Sequence, residues 1–223
     1  MVEGDLGFVC RTGLGRRAEG ATAALLGRLS PAAVLSVGTA GGLSHDLLAG
    51  EIVLCDRVDL GPECQHPAQG EVVTADAALL EIAWKASNEC GIAARAGRSV
   101  TVDTVAWRPD EKARLRDWMG HDIVEMESFW VGRAAAERRV PFLAVRVVSD
   151  QAGDHIPEIP GLVSEDGSVD YSRFLPYVRE HPELVPVLAE QTQRSRLATD
   201  NLGAFLTAFV PMASRLLSGR RPL

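Results

Sequence analysis

Short apolar runs alternate along the chain with longer segments whose apolar residues recur at helical spacing. Strands are predicted at residues 32–37, 52–58, 96–102 and 141–148, and helices at residues 18–29, 74–89, 109–119 and 127–138. The strand runs are continuously apolar, which is typical of parallel strands covered on both faces. The pattern therefore predicts an α/β fold, a three-layer α/β/α sandwich around a mixed, mostly parallel central sheet.

The two ends of the chain add to this picture. A strand at residues 6–11, a glycine-rich turn at residues 12–15 and the helix and strand that follow predict a βαβ unit. Residues 151–174 are rich in proline, glycine and acids, which indicates a loop or lid. Residues 175–223 predict a helical C-terminal segment, interrupted around Pro182 and Pro186. We expect residues 1–223 to form a single domain.

Composition and charge exclude several classes of partner. The 223 residues are 46% hydrophobic and 24% charged, with a formal net charge of −7. An acidic protein of this kind is not expected to bind nucleic acid or an anionic membrane. No apolar stretch reaches the roughly 20 residues of a membrane span, so we expect no stable membrane insertion. The N-terminus also lacks the pattern of a signal peptide.

The four cysteines point to a reducing compartment. They are Cys10, Cys55, Cys64 and Cys90, and none belongs to a C-x-x-C pair. A zinc site, or any other metal site, is therefore not expected. Cys10 and Cys55 lie in apolar runs and are predicted to be buried thiols. We expect a cytoplasmic protein.

Three segments carry candidate chemistry where strands end, which is where ligands of such sheets bind. In the first, residues 38–42, the glycines permit close approach of a ligand and Thr39 adds a hydroxyl, although such turns are often purely structural. In the second, Glu125 and Glu127 flank Met126. Acids favour a helix N-terminus, and we prefer that interpretation for Glu125. The carboxylate of Glu127 can also accept hydrogen bonds from both hydroxyls of a ribose.

The third segment is Ser149-Asp150, directly after the strongest predicted strand. An aspartate in this position commonly caps a following helix. The functional alternative is a general acid whose pKa is raised by partial burial.

Taken together, these motifs resemble the purine nucleoside phosphorylase and nucleosidase superfamily. The resemblance rests on G-T-A-G-G at residues 38–42, M-E-S at 126–128 and R-V-V-S-D at 146–150. It is strongest to the bacterial 5′-methylthioadenosine/S-adenosylhomocysteine nucleosidases. The tail, including R-S-R-L-A at residues 194–198, resembles the hopanoid-associated nucleosidase/phosphorylase branch. The resemblance implies cleavage of the N-glycosidic bond of a purine nucleoside, a 5′-substituted adenosine, with release of the base.

The resemblance also implies roles for individual residues. Asp150 would protonate the departing base, and Glu127 with Met126 would bind the ribose. The base would lie against Val105, Ala106 and Ser149, while Gly38 and Thr39 would contact the nucleophile or an anion. No cofactor is implied, apart from phosphate as co-substrate in a phosphorylase. The implied partners are a small-molecule nucleoside and further copies of the chain in a homo-oligomer.

Two departures from the family pattern concern the nucleophile. The usual first strand, with an acid that activates water, is not found, so no residue is assigned that role. Leu35 and Ser36 stand where phosphorylases often carry an arginine, which favours hydrolysis over phosphorolysis. Arg11, Arg16 or a partner subunit could supply the cation instead. Arg146 is interpreted as structural.

Two other classes of function are considered. A protein with an incomplete site would bind a nucleoside without cleaving it. A dinucleotide-binding domain is suggested by Gly13 and Gly15, but Ala18 replaces the third glycine of the G-x-G-x-x-G pattern. We therefore rank that domain low.

Overall fold

The computed structural model describes residues 2–4, 7–159 and 171–218, without the side chains of residues 2–4, 171 and 173. The strands in this part of the chain are β1 (Val2–Gly4), β2 (Gly7–Val9), β3 (Val34–Gly42), β4 (Ile52–Leu60), β5 (Val72–Thr74), β6 (Ala94–Thr101), β7 (Ile123–Glu125) and β8 (Phe142–Asp150). The helices are α1 (Arg17–Leu26), α2 (Ala77–Cys90), α3 (Pro109–Met119), α4 (Ser128–Glu137), α5 (Tyr171–Glu180) and α6 (Val185–Ser218).

The main sheet is mixed and closes on itself. Its longest ladders, β3–β8 and β4–β6, are parallel, and β7 extends the sheet in parallel from β6. Three antiparallel pairings, β3–β7, β4–β5 and β4–β8, complete it. Because β4 pairs with β8 and β7 pairs with β3, a ring of five strands is formed. The predicted fold class is confirmed.

Helices cover both faces of the sheet. Strand β8 shows this clearly, because successive side chains of a strand point to opposite faces. Phe142, Ala144 and Val148 join a core that contains Phe129 and Trp130 of α4. Leu143, Val145 and Val147 join another core, with residues of α2 and with Phe205 and Phe209 of α6. The unbroken apolar run of β8 follows from this burial on two sides.

The opening of the chain differs from the prediction. In the described residues, β2 pairs with β1 as a small antiparallel hairpin outside the main sheet, so the predicted βαβ unit is wrong at its first strand. Strand β2 is three residues long, and Phe8 and Val9 are exposed. The predicted glycine turn at residues 38–42 is also wrong. Strand β3 continues to Gly42 because Gly41 and Gly42 pair with Val124 and Ile123 of β7.

The C-terminal segment is helical, with the expected break at Pro182. Helix α6 contains Pro186 in its first turn, where the missing N–H of proline costs no helical hydrogen bond. Helix α5 begins at Tyr171, inside the predicted loop, and the middle of that loop, residues 160–170, lies outside the described residues. The boundaries of a single domain stay a prediction. Along the described residues, no helix combines the length and apolarity that crossing a membrane requires.

All four cysteines are free thiols. Cys55 is buried as predicted, whereas Cys10 is only partly buried. The prediction for Cys10 is wrong because that residue follows the exposed strand β2 rather than a strand of the main sheet.

Candidate active site

Gly41 of β3 is the point where the candidate residues meet. Its register partners are Asp150 at the end of β8 and Val124 of β7. A Cβ on Gly41 would lie 2.9 Å from Asp150 Oδ2 and 3.2 Å from Val124 Cγ1. Glycine is therefore required for this close approach. The register brings Asp150 and the segment after Val124, with Met126 and Glu127, to the same end of the sheet.

Asp150 is buried and held by two side chains. Ser149 Oγ donates to Asp150 Oδ1 over 2.8 Å, and Lys112 Nζ lies 2.5 Å from Asp150 Oδ2. Lys112 Nζ also donates to the carbonyl oxygen of Gln151 over 2.7 Å. Asp150 does not act as the cap of a helix, since residues 151–159 form none.

Lys112, which no sequence motif predicted, lies on α3 and has a side chain only 1% exposed. It was not found because α3 is rich in charged residues and none of its lysine or arginine positions stands out by spacing. The rarity of lysine in this chain could have drawn attention to it, since Lys85 and Lys112 are the only lysines among the 23 lysine and arginine residues.

Glu127 lies at the start of α4 and faces the glycine-rich turn. Its Oε1 accepts a hydrogen bond from the backbone N–H of Gly15 over 3.1 Å. Gly15 has a φ of +59°, a conformation that glycine adopts without strain. Burial raises the pKa of Glu127 above its ordinary value, and the charge of Glu125 adds to this, while Arg146 and the N–H of Gly15 oppose it. The turn thus holds the carboxylate of Glu127 in place.

Arg146 lies at the centre of the site. Its guanidinium donates to Glu125 Oε2 over 2.6 Å and to the hydroxyls of Ser36 and Ser128. It lies so close to Gly38 that a Cβ there would clash with Arg146 Nη1. A cation therefore lies beside Gly38, although neither Leu35 nor Ser36 is basic. The cation comes from β8, where Arg146 is the register partner of Gly38, and a pairing between distant strands is not visible in the local sequence.

Glu125 is buried and accepts several hydrogen bonds. Its donors are the hydroxyl of Thr101, the backbone N–H groups of Glu127 and Ser128, and Arg146. It therefore satisfies N–H groups at the start of α4, which confirms its interpretation as an acid at a helix N-terminus.

The remaining predicted residues frame the same region. Met126 packs against an apolar cluster that contains Ala106, Leu43 and Val124. Val105, next to Ala106, is exposed, and so is Thr39, one residue beyond Gly38. An apolar surface and an accessible hydroxyl thus accompany the two carboxylates.

A cavity of about 400 Å³ lies between α3 and the segments that follow β3 and β8. It is lined by Leu43, by Ala152 just after Asp150, and by residues of α3 such as Pro109 and Ala113. Another cavity, of about 380 Å³, lies at the start of β8 near Phe142, remote from Asp150. Within the described ranges, no three His, Cys, Asp or Glu side chains are grouped to hold a metal ion.

The sequence matches one family model, described as the phosphorylase superfamily, over residues 1–175. Among curated relatives, the 5′-methylthioadenosine/S-adenosylhomocysteine nucleosidase of Aeromonas salmonicida is 32% identical over 161 residues, which cover 66% of this chain and 69% of that protein. The enzyme of the same name from Tolumonas auensis is 30% identical over 162 residues, covering 67% of this chain and 70% of that protein.

Solved structures show the same fold. The nucleosidase of Neisseria meningitidis in complex with methylthio-immucillin-A aligns with a TM-score of 0.68 at 21% identity, covering 91% of this chain and 79% of that chain. Native futalosine hydrolase of Helicobacter pylori aligns with a TM-score of 0.62 at 18% identity, covering 88% of this chain and 77% of that chain.

Proposed function

The chain belongs to the phosphorylase superfamily, and on that premise we propose that it hydrolyses the N-glycosidic bond of a 5′-substituted adenosine and releases adenine. One structural observation carries the proposal. The carboxylate of Asp150 and the segment that holds Glu127 meet at Gly41, where strands β7 and β8 flank β3. The names of the relatives from Aeromonas salmonicida and Tolumonas auensis support the substrate class.

Asp150 is the residue that passes a proton to the departing base. As the glycosidic bond breaks, negative charge builds on the base, and a proton donor at its ring nitrogen stabilises the leaving group. Ser149 orients the Asp150 carboxylate through the 2.8 Å hydrogen bond to Oδ1. Val105 and Ala106 provide the surface against which the base lies. No cofactor is needed for these steps.

Glu127 binds the ribose hydroxyls, and Met126 packs against the sugar. The N–H of Gly15 fixes one oxygen of the Glu127 carboxylate and leaves lone pairs for a diol. Holding the sugar in one orientation lowers the barrier, since the anomeric carbon then faces the nucleophile.

The nucleophile is held beside Arg146, Gly38 and Thr39. Water is the nucleophile we favour, because the relatives cited above are nucleosidases. The guanidinium of Arg146 suits phosphate as well, since arginine binds phosphate oxygens well. Phosphorolysis is therefore the alternative outcome of the test.

The finer assignments also belong to the proposal. A lipid-linked adenosine such as an adenosylated hopanoid is supported by the tail resemblance and by exposed apolar residues of α5 and α6, Leu175, Val185, Val187 and Leu197. Apolar exposure at these helices equally suits assembly into a homo-oligomer. The free thiols support a reducing compartment, the cytoplasm.

The test is incubation of the purified protein with methylthioadenosine and with larger 5′-substituted adenosines, with and without phosphate. We expect free adenine and an unphosphorylated sugar in both conditions. A sugar phosphate formed only with phosphate would identify a phosphorylase. Binding measured by calorimetry without release of base would support the non-catalytic alternative, and neither binding nor release would overturn the proposal.

The Asp150→Asn variant tests the assignment of the acid. It should lower kcat by about 10²–10⁴-fold, the usual contribution of general acid catalysis, while binding stays measurable. Asp200→Asn, an exposed position on α6, serves as the control and should keep normal activity.

A further inference from the structure

A buried lysine touches the acid of the proposed mechanism. The side chain of Lys112 is only 1% exposed and its Nζ lies 2.5 Å from Asp150 Oδ2. An ammonium at this distance favours the charged form of the carboxylate. In the resting site the proton is then on Lys112, although the departing base needs one from Asp150.

The choice of lysine over arginine is informative. Of 23 basic residues, only Lys85 and Lys112 are lysines. Arginine is the usual residue for a permanent buried ion pair because it keeps its proton in proteins. Lysine can release its proton when it is buried. A chain that uses arginine at nearly all its other basic positions has a lysine where a proton is needed.

The surroundings hold Lys112 Nζ in place in either charge state. The carbonyl of Gln151 accepts a hydrogen bond from Nζ over 2.7 Å, and a neutral amine can still donate it. At the start of α3, the N–H groups of Trp107 and Arg108 bond to Glu111, and the carbonyl of Trp107 accepts from the N–H of Ile156. The helix and the loop after β8 are thereby fixed against each other.

We propose that Lys112 is a positioning residue that supplies, through Asp150, the proton taken up by the departing base. This inference rests on the proposed function. Lys112 passes a proton to the Asp150 carboxylate, and Asp150 passes one to a ring nitrogen of the base. The glycosidic C–N bond breaks with both electrons going to the base. The oxygen of water bonds to the anomeric carbon, and the proton that water loses restores the ammonium of Lys112, so the cycle is balanced.

Other charged groups lie around the pair. They are Asp110, Arg116, Asp117 and His45, which line the cavity beside α3, Glu125 and Glu127 at and just after the end of β7, and Arg146 in the middle of β8. All of them stay in place in the variants proposed below. The ratio of variant to wild-type activity therefore isolates the contribution of Lys112.

The experiment compares Lys112→Met and Lys112→Arg with wild type by measuring kcat between pH 5 and pH 8. In Lys112→Met, Asp150 must take its proton from solvent. We expect a loss of about 10²-fold at pH 8, the scale of general acid catalysis, and substantial recovery at pH 5. In Lys112→Arg the charge stays but the proton is not released, so activity should be low at both pH values. Lys85→Met, which removes an exposed lysine paired with Glu81, should match wild type throughout.

If Lys112 acted only through its charge or its packing, the activities of the two variants would stand in the opposite order. Lys112→Arg would then be the more active variant, and the ratio of Lys112→Met to wild type would not change with pH. Either result, in a wild-type protein that releases the base, overturns the inference and leaves the proposed function intact. Absence of base release from wild type would instead be a failure of the proposed function.

A measurement on the wild-type protein decides the matter if the variants do not fold. Lysine labelled with ¹³C at Cε gives two signals in this chain, and Lys85→Met assigns them. We expect the chemical shift of the Lys112 signal to change, as its ammonium loses a proton, over the alkaline pH range in which kcat falls. Titration of Lys112 with no accompanying change in kcat would overturn the inference.

Discussion

The guanidinium of Arg146 and the carboxylate of Glu125 form a 2.6 Å ion pair whose side chains are 5% and 1% exposed. Glu125 ends β7 and bonds to the first N–H groups of α4, whereas Arg146 belongs to β8. The pair therefore joins the two segments that carry Glu127 and Asp150. The relative position of these two carboxylates thus depends on this pair, and Arg146 also lies 3.9 Å from Glu127 Oε2.

Glu125→Gln should weaken both the fold and the activity. The substitution leaves Arg146 without its closest buried counter-charge, and breaking a buried ion pair typically costs about 3–5 kcal/mol. Urea unfolding should show a clearly lower midpoint, and kcat/KM should fall. Glu81→Gln removes an exposed pair with Lys85 and should leave the midpoint nearly unchanged. Equal midpoints for Glu125→Gln and wild type would contradict the assigned role.

Gly41→Ala should impair catalysis by displacing Asp150. The added Cβ would lie 2.9 Å from Asp150 Oδ2, so the carboxylate has to move. A shift of about 1 Å in a catalytic group can cost about 10²-fold in rate, and we expect a loss of that order in kcat.

Gly203→Ala in α6 is the matched control, because nothing lies within 4 Å of its added Cβ. It should keep full activity and gain about 0.5–1 kcal/mol of stability, as expected for glycine replaced in a helix. Unchanged kcat in Gly41→Ala would argue against Asp150 as the acid.

Much of the fold was predictable because long amphipathic and apolar segments depend on local patterns. Helix α3 was predicted at its observed bounds, and the strand ending at Asp150 followed from its apolar run. The position of β2 was not predictable, since three exposed residues carry no signal for one partner over another.

The candidate site was predictable only in part, because its geometry depends on contacts between segments that are distant in the sequence. Asp150 and Glu127 were proposed from motifs and a resemblance, and the strand register brings their segments together at Gly41. Lys112 and the central position of Arg146 depend on which strand and helix lie beside β3, and local patterns do not encode such long-range pairing. Leu35 and Ser36 of β3 carry no charge, and the cation beside Gly38 belongs to β8 instead.

His121 should make the fold less stable in mild acid. It is buried, and burial lowers its pKa below 6.5 although the 3.1 Å hydrogen bond to Asp59 opposes this. The unfolded chain therefore takes up a proton at a higher pH than the folded protein does. The stability contributed by His121 is present above pH 6.5 and is lost as the pH falls towards its lowered pKa.

Thermal unfolding at pH 7.5 and pH 5.5 checks this expectation. The melting temperature of wild type should fall more between these values than that of His121→Gln. His45→Gln, at an exposed histidine, should follow wild type. Parallel behaviour of His121→Gln and wild type would show that His121 does not titrate differently in the folded state.

Glu127→Gln should stabilise the protein while it weakens the enzyme. The pKa of Glu127 is raised by burial and by the charge of Glu125, so the folded protein holds this proton more tightly than the unfolded chain does. The charged form therefore costs stability once the pH rises above the ordinary glutamate value of 4.5, and the cost is complete above the raised pKa. Glutamine avoids the cost and still accepts the hydrogen bond from Gly15. The melting temperature of the variant should exceed that of wild type at pH 7.5, and the difference should vanish below pH 4.5.

Because hydrogen bonds to charged groups contribute about 1.5–3 kcal/mol, kcat/KM of Glu127→Gln should fall by about 10- to 100-fold through weaker ribose binding. Glu137→Gln, an exposed position on α4, provides the control for both measurements. A variant that is no more stable at pH 7.5, or one that keeps full kcat/KM, would refute the corresponding half of the prediction.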